Sequence, residues 1–175
     1  TVMNENYPQP SLKPGMRKNV LKGAYHFRHY PAQSVSGTQE KNAVTLLGSG
    51  AILTEVLAAA GELSSQGIAC DVFSVTSWTE LARDGQRSEH SSNSSEQPAM
   101  PFIEEQLQNS KGPIIAASDY VRMLPESIRA YVPAGRKYIT LGTDGFGRSD
   151  TRAELRQHFG VNAQAIVQMA LKQLA

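Results

Sequence analysis

The chain has 175 residues, 40% of them hydrophobic and 19% charged, which excludes an intrinsically disordered polymer and suffices for about one domain with its own core. Lys and Arg number 17 against 16 Asp and Glu, and the formal charge of +1 is too small for the positive field of a dedicated nucleic-acid binder. The single cysteine, Cys70, excludes an internal disulfide framework and favours a reducing compartment, expected to be the cytoplasm.

The uncharged run from Asn42 to Thr54 is broken by Gly48 and Gly50 and is shorter than the roughly 20 residues that span a bilayer, so no membrane partner is expected. No basic-then-apolar leader opens the chain, so no signal peptide is expected. The start at Thr1 rather than Met is expected of a piece of a longer protein.

Residues 1–23 read as an extended arm or linker, because Pro8, Pro10, Pro14 and Gly15 break helices and apolar periodicity is absent. Its basic stretch (Lys13, Arg17, Lys18, Lys22, then Arg28) is read either as an anion-facing strap or as a solvated linker. Residues 24–175 form one α/β domain. Ala24 to Tyr30 alternates as an edge strand does. Pro31 to Lys41 is polar and turn-rich. Ala43 to Leu47, Asp71 to Val75, Ile114 to Ala117 and Lys137 to Leu141 are short strands of the kind buried on both faces of a parallel sheet.

Between the strands, Ile52, Leu53, Val56, Leu57, Ala60 and Leu63 recur at helical spacing, with Gly67 as a stop. Trp78 to Ala82 reads as a short helix. Residues 87–97, rich in serine, read as a flexible loop with little to bury. Pro101 opens a helix with Phe102, Ile103 and Leu107, and Pro125 to Val132 forms another. Thr151 and Glu154 have the spacing of a capping box. Asn162 caps a last helix whose face is Ala163, Ile166, Val167, Ala170, Leu171 and Leu174. Strands alternating with helices predict a three-layer α/β sandwich with a mostly parallel sheet and one antiparallel edge strand.

Chemistry is sparse. Gly48-Ser49-Gly50 lies between strand and helix, where an anion is favoured, but Leu53 stands where the dinucleotide fingerprint needs a third glycine. Asp71 starts the second strand instead of ending it, and no Lys-Ser/Thr follows the turn. A tight turn for helix packing is the simpler reading. His26 and His29, three apart in a strand, are expected on opposite faces, and neither they, His90, His158 nor Cys70 has zinc spacing. Cys70 reads as a buried small hydrophobe. Asp84, Asp119, Asp144 and Asp150 are candidate acids, but sequence alone brings no two together.

The loop Gly142 to Asp150 is the most unusual segment, with three glycines around Phe146 and with Asp144, Arg148 and Asp150 beside it. It leaves the carboxyl end of a strand, where open α/β sheets bind their partners. Either it presents Phe146 as an interface anchor, with Arg148 holding Asp144 or Asp150, or it is a structural turn with Phe146 tucked into its own core.

Three segments carry a family resemblance: Thr45 to Leu53, Asp71 to Gln86 and Leu141 to Arg152. They resemble the carboxyl-terminal domain of the homodimeric pyruvate dehydrogenase first component, and Met3 to Tyr7 resembles the linker that enters it. The likeness covers nearly the whole chain. The segment Ser88 to Gln97 departs from it, having serines where the family has a more aromatic loop with a His-Pro pair.

The resemblance implies a transketolase-like C-terminal fold and a parent that decarboxylates pyruvate and reductively acetylates lipoyl groups. Thiamine diphosphate and magnesium would belong to other domains of the parent. This chain would hold no catalytic, cofactor or metal residue and would be inactive alone. Implied partners are the other domains of the same chain, the second subunit of a homodimer and, through the parent, the dihydrolipoyl acetyltransferase component. The alternatives are a stand-alone interaction module of a 2-oxoacid dehydrogenase complex, the same domain of a related 2-oxoacid dehydrogenase, and a small nucleotide-binding enzyme, against which the glycine pattern speaks.

Overall fold

The computed structural model describes residues 11–33, 42–92 and 99–175. The arm is not extended up to Gly23. Arg17–Lys22 forms helix α1, because six residues free of breakers follow Pro14 and Gly15. Gly23 then caps the helix at φ +108°, a left-handed conformation that only glycine adopts readily. The rest of the predicted arm up to Pro10 lies outside the described residues, as does most of the polar stretch before β2.

Five strands follow: β1 (Ala24–Tyr30), β2 (Ala43–Ser49), β3 (Ala69–Val75), β4 (Ile114–Ala117) and β5 (Tyr138–Leu141). Their order in the sheet is β1-β3-β2-β4-β5. β1 runs antiparallel to β3, and every other pair is parallel. The sandwich expected from the sequence is therefore the fold found.

Both faces of the sheet are covered, which is why the inner strands read as continuous apolar runs. Val44, Leu46, Val72, Ile115 and Ala117 face helices α2 (Ile52–Ser65) and α7 (Ala163–Leu174). Leu47, Phe73, Val75, Ile114 and Ala116 face Trp78, Leu81, Phe102, Ile103 and Tyr131 on the other side. β2 connects through α2 to β3 on one flank. The chain then crosses beyond β2 to reach β4, so the connection lies on the opposite face, as right-handed crossovers demand.

α3 (Trp78–Ser92) is three turns longer than its sequence suggests. Residues 87–92, expected in a flexible loop, are its last turns, while 93–98 lie outside the described residues. Its buried positions are Trp78, Leu81, Gly85 and Ser88, which is helical spacing. Gly85 is small for a reason: a Cβ there would lie 2.3–2.5 Å from the Tyr131 ring. The exposed side is laced by Glu80 with Arg83 at 3.1 Å and Arg87 at 2.7 Å.

α4 (Phe102–Leu107) follows Pro101, and its first N–H donates to Asp84 Oδ2 at 2.6 Å. The helix expected over 125–132 is instead α5 (Met123–Glu126) and a separate 3₁₀ turn, Arg129–Tyr131. Pro125 sits in the first turn of α5, where its missing N–H costs nothing. Thr151 caps α6 (Arg152–His158) through Glu154 N, and Asn162 caps α7 through Ala165 N. No helix among the described residues is long and apolar enough to cross a membrane.

Candidate functional site

The carboxyl ends of β4 and β5 carry two loops, 118–122 and 142–150, that are fastened together. Thr143 donates its N–H to Tyr120 O at 2.9 Å and its hydroxyl to Asp119 O at 2.7 Å. Asp144 accepts the backbone N–H of Arg122 at 2.9 Å and its Nε–H at 2.6 Å. Those two bonds hold the Asp144 carboxyl below the usual carboxylate range. A Cβ on Gly142 would lie 2.6 Å from Tyr120 O, so glycine is what lets the loops meet.

This pairing differs from the one expected. Arg122, and not Arg148, holds Asp144, while Asp150 accepts the Thr151 N–H at 2.7 Å. The sequence offered no cue for Arg122, which lies 22 residues away on another loop. Phe146 is not tucked into the core: its ring is 96% exposed. Tyr120 and Val121 on the neighbouring loop, and Met123 at the start of α5, are exposed large side chains as well. A large aromatic ring held out in solvent on a braced loop is suited to docking against a partner surface.

The other sequence candidates are scattered. Asp84 caps α4, and Asp119 lies at the end of β4, close to Gly50. Cys70 is buried in β3, and burial pushes its thiol up to about 12, so it is no nucleophile at neutral pH. His90 contacts Gln86 O, and His158 stacks edge-on against Phe159. Gly48 is explained by packing, since a Cβ would lie 2.9 Å from Val56 of α2.

His26 and His29 do not point to opposite faces. The register shifts between His26 and Arg28, a bulge that restores both imidazoles to one side. Each lies 3.0 Å from Asp71 Oδ1. An ionised carboxylate only accepts, so each imidazole donates an N–H hydrogen bond to it. The His26 bond, then the His29 bond, keep the Asp71 carboxyl below its ordinary value against the opposing effect of burial. A depressed carboxyl stabilises the fold above its unfolded value of about 3.9, and that stabilisation is lost as pH falls through the folded value. Both imidazoles are about half exposed, which limits the effect to roughly 1 kcal/mol or less. In a carboxyl-detected titration, Asp71 is expected to protonate at higher pH in the His26→Gln/His29→Gln double variant. An unchanged Asp71 curve would contradict this account.

Over residues 23–162 the chain matches the family model of the transketolase-like TK C-terminal domain. It is 44% identical to the pyruvate dehydrogenase E1 component of Cupriavidus necator, 43% to that of Escherichia coli and 41% to that of Mycolicibacterium smegmatis. Each alignment takes in 100% of this chain but 19%, 19% and 18% of the relative. The chain thus spans about a fifth of the length of the curated relatives it matches. In solved structures it resembles transketolase from Campylobacter jejuni, with TM-score 0.56 and 22% identity over 87% of this chain and 19% of that one. It also resembles a transketolase variant from Pichia stipitis, with TM-score 0.58 and 17% identity over 98% of this chain and 20% of that one. At such identities the likeness shows the fold alone.

Proposed function

From the premise that the chain belongs to the transketolase-like C-terminal domain family, with relatives that are pyruvate dehydrogenase E1 components, we propose that it is the non-catalytic assembly domain of such an enzyme. The parent decarboxylates pyruvate and reductively acetylates lipoyl groups in a reducing compartment. This domain closes against the parent's other domains and the second subunit of a homodimer. Contact with the dihydrolipoyl acetyltransferase component runs through the parent. Residues 24–175 act as one unit, with 1–23 leading into it.

The observation that carries the reading is the braced platform at the carboxyl end of the sheet, with Phe146 at 96% exposure. Candidate contacts to the parent are Asp144, Phe146, Arg148 and Asp150. Thiamine diphosphate with magnesium is assigned to the rest of the parent; among the described residues no group of three or more His, Cys, Asp or Glu is placed to hold a metal ion.

The test compares pyruvate decarboxylation, with added thiamine diphosphate and magnesium, by the full-length protein, by the 175-residue chain and by the full-length protein lacking residues 24–175. Activity is expected in the full-length protein only, with loss of the dimer in the deletion. Turnover by the 175-residue chain, or a fully dimeric and active deletion, would overturn the proposal.

A further inference from the structure

Phe146 stands at the rim of an apolar cleft that its own ring does not enter. The cleft, about 430 Å³, is lined from the 142–150 loop, the start of α2 and α6. Ala51, Ile52 and Val161 form its floor, and Leu155 and Phe159, both only partly buried, form its wall. Gly145, Gly147 and Arg148 line it from the loop, so the chain neighbours of Phe146 border the opening. The ring between them is 96% exposed. A knob and a hole thus sit side by side on one face, and none of the described residues of the chain fills the one with the other.

The two match in size and chemistry. An apolar space of about 150 Å³ already takes a benzene ring, and the cleft is larger than that. The surrounding charges carry both signs: Arg148 and Arg152 stand with Asp119, Asp150 and Glu154, all exposed. Arg156, the third arginine of the cleft, donates to Glu55 Oε1 at 3.0 Å, so its charge is balanced within the chain. A face of one sign would repel its own copy, whereas a face with both signs can meet itself.

We propose that this face pairs with the same face of a second copy of the chain across a two-fold axis, the Phe146 ring of each copy seated against Leu155 and Phe159 in the cleft of the other. An axis passing between knob and hole brings each ring over the other copy's cleft, so one operation fills both. A knob and a hole on opposite sides of the molecule would instead join copies head to tail, in rings or filaments. The inference rests on the assembly reading above, whose homodimer supplies the second copy, and it names what covers the exposed ring. Two such rings remove about 300–500 Å² of aromatic surface from water, less than the roughly 1,200 Å² of a stable interface. The exchange is therefore one part of a larger dimer surface, and the 175-residue chain is expected to stay monomeric at micromolar concentration.

The test places the photoreactive residue p-benzoylphenylalanine at position 146 of the full-length protein. Mixed dimers are formed with unmodified subunits carrying nitrogen-15, so that the mass of a linked peptide shows which copy each half came from. A link is expected from position 146 of one copy to residues 151–161 of the other. In sedimentation equilibrium of the full-length protein, Leu155→Ala is expected to raise the dimer dissociation constant by about tenfold or more. The double variant Phe146→Ala/Leu155→Ala is expected to lie within about threefold of Phe146→Ala alone, because the wall contributes nothing to association once the ring is gone. The far-ultraviolet circular dichroism of each variant checks that it folds, and the photochemical link needs no change to the cleft. No link between subunits, a link only to another region of the parent, or additive losses in the double variant would overturn the proposal. A link to another region leaves the assembly reading standing, whereas that reading fails through an active and dimeric deletion.

Discussion

Phe146→Ala is expected to leave the unfolding free energy of the 175-residue chain within about 0.5 kcal/mol of the wild type, because a ring that is 96% exposed has almost no buried contact to lose. The same change is expected to weaken association of the full-length subunit by about 2–4 kcal/mol, the range of a central aromatic anchor. The asymmetry follows from how the loop is built. Thr143 and the Asp144 carboxylate are already tied to the neighbouring loop before any partner arrives, which lowers the ordering entropy that opposes docking. Denaturant unfolding of the chain and sedimentation equilibrium of the full-length protein measure the two quantities. A chain destabilised by several kcal/mol with association unchanged would show that the ring packs inward.

The sequence was most informative where one residue type did one job. The strand Ala43–Ser49 is apolar because both its faces are covered, and Thr151 and Asn162 are caps because their oxygens meet free N–H groups. It was least informative where a small or polar residue sits in a buried position. Gly85 and Ser88 belong to the buried stripe of α3, but neither registers as apolar, so the helix looks as if it ends near Ala82. The bulge near Phe27 is one extra residue, and that single residue decides whether His26 and His29 share a face. The site suffered most. The pairing of Arg122 with Asp144 depends on where two crossovers turn, which no local pattern encodes.

Arg136→Ala is expected to lower the stability of the chain by about 2–4 kcal/mol, although Arg136 is only partly buried and lies in no regular element. Its guanidinium closes the amino end of the sheet. One Nη donates to the carbonyl oxygens of Leu107 at 3.2 Å and Ser110 at 3.3 Å and to the Ser110 hydroxyl at 2.9 Å. The other donates to Thr45 Oγ1 at 2.7 Å and Gly112 O at 2.6 Å, and Nε donates to Gly112 O at 2.8 Å. One side chain therefore ties the end of α4 and the turn before β4 to β2. Removing it leaves several part-buried carbonyl groups without a donor, and each such loss costs more than a hydrogen bond gains. Arg136→Lys is expected to recover less than half of the loss, since an ammonium has three donors and no planar fork to span these acceptors. Burial pushes the guanidinium pKa down, but the ordinary value is so high that the group stays charged across the accessible pH range. The deficit of Arg136→Ala is thus expected to be nearly the same at pH 6 and pH 8 in urea unfolding. A loss below about 0.5 kcal/mol would mean that water replaces the guanidinium at those carbonyls, and that the turn before β4 is held by its backbone alone.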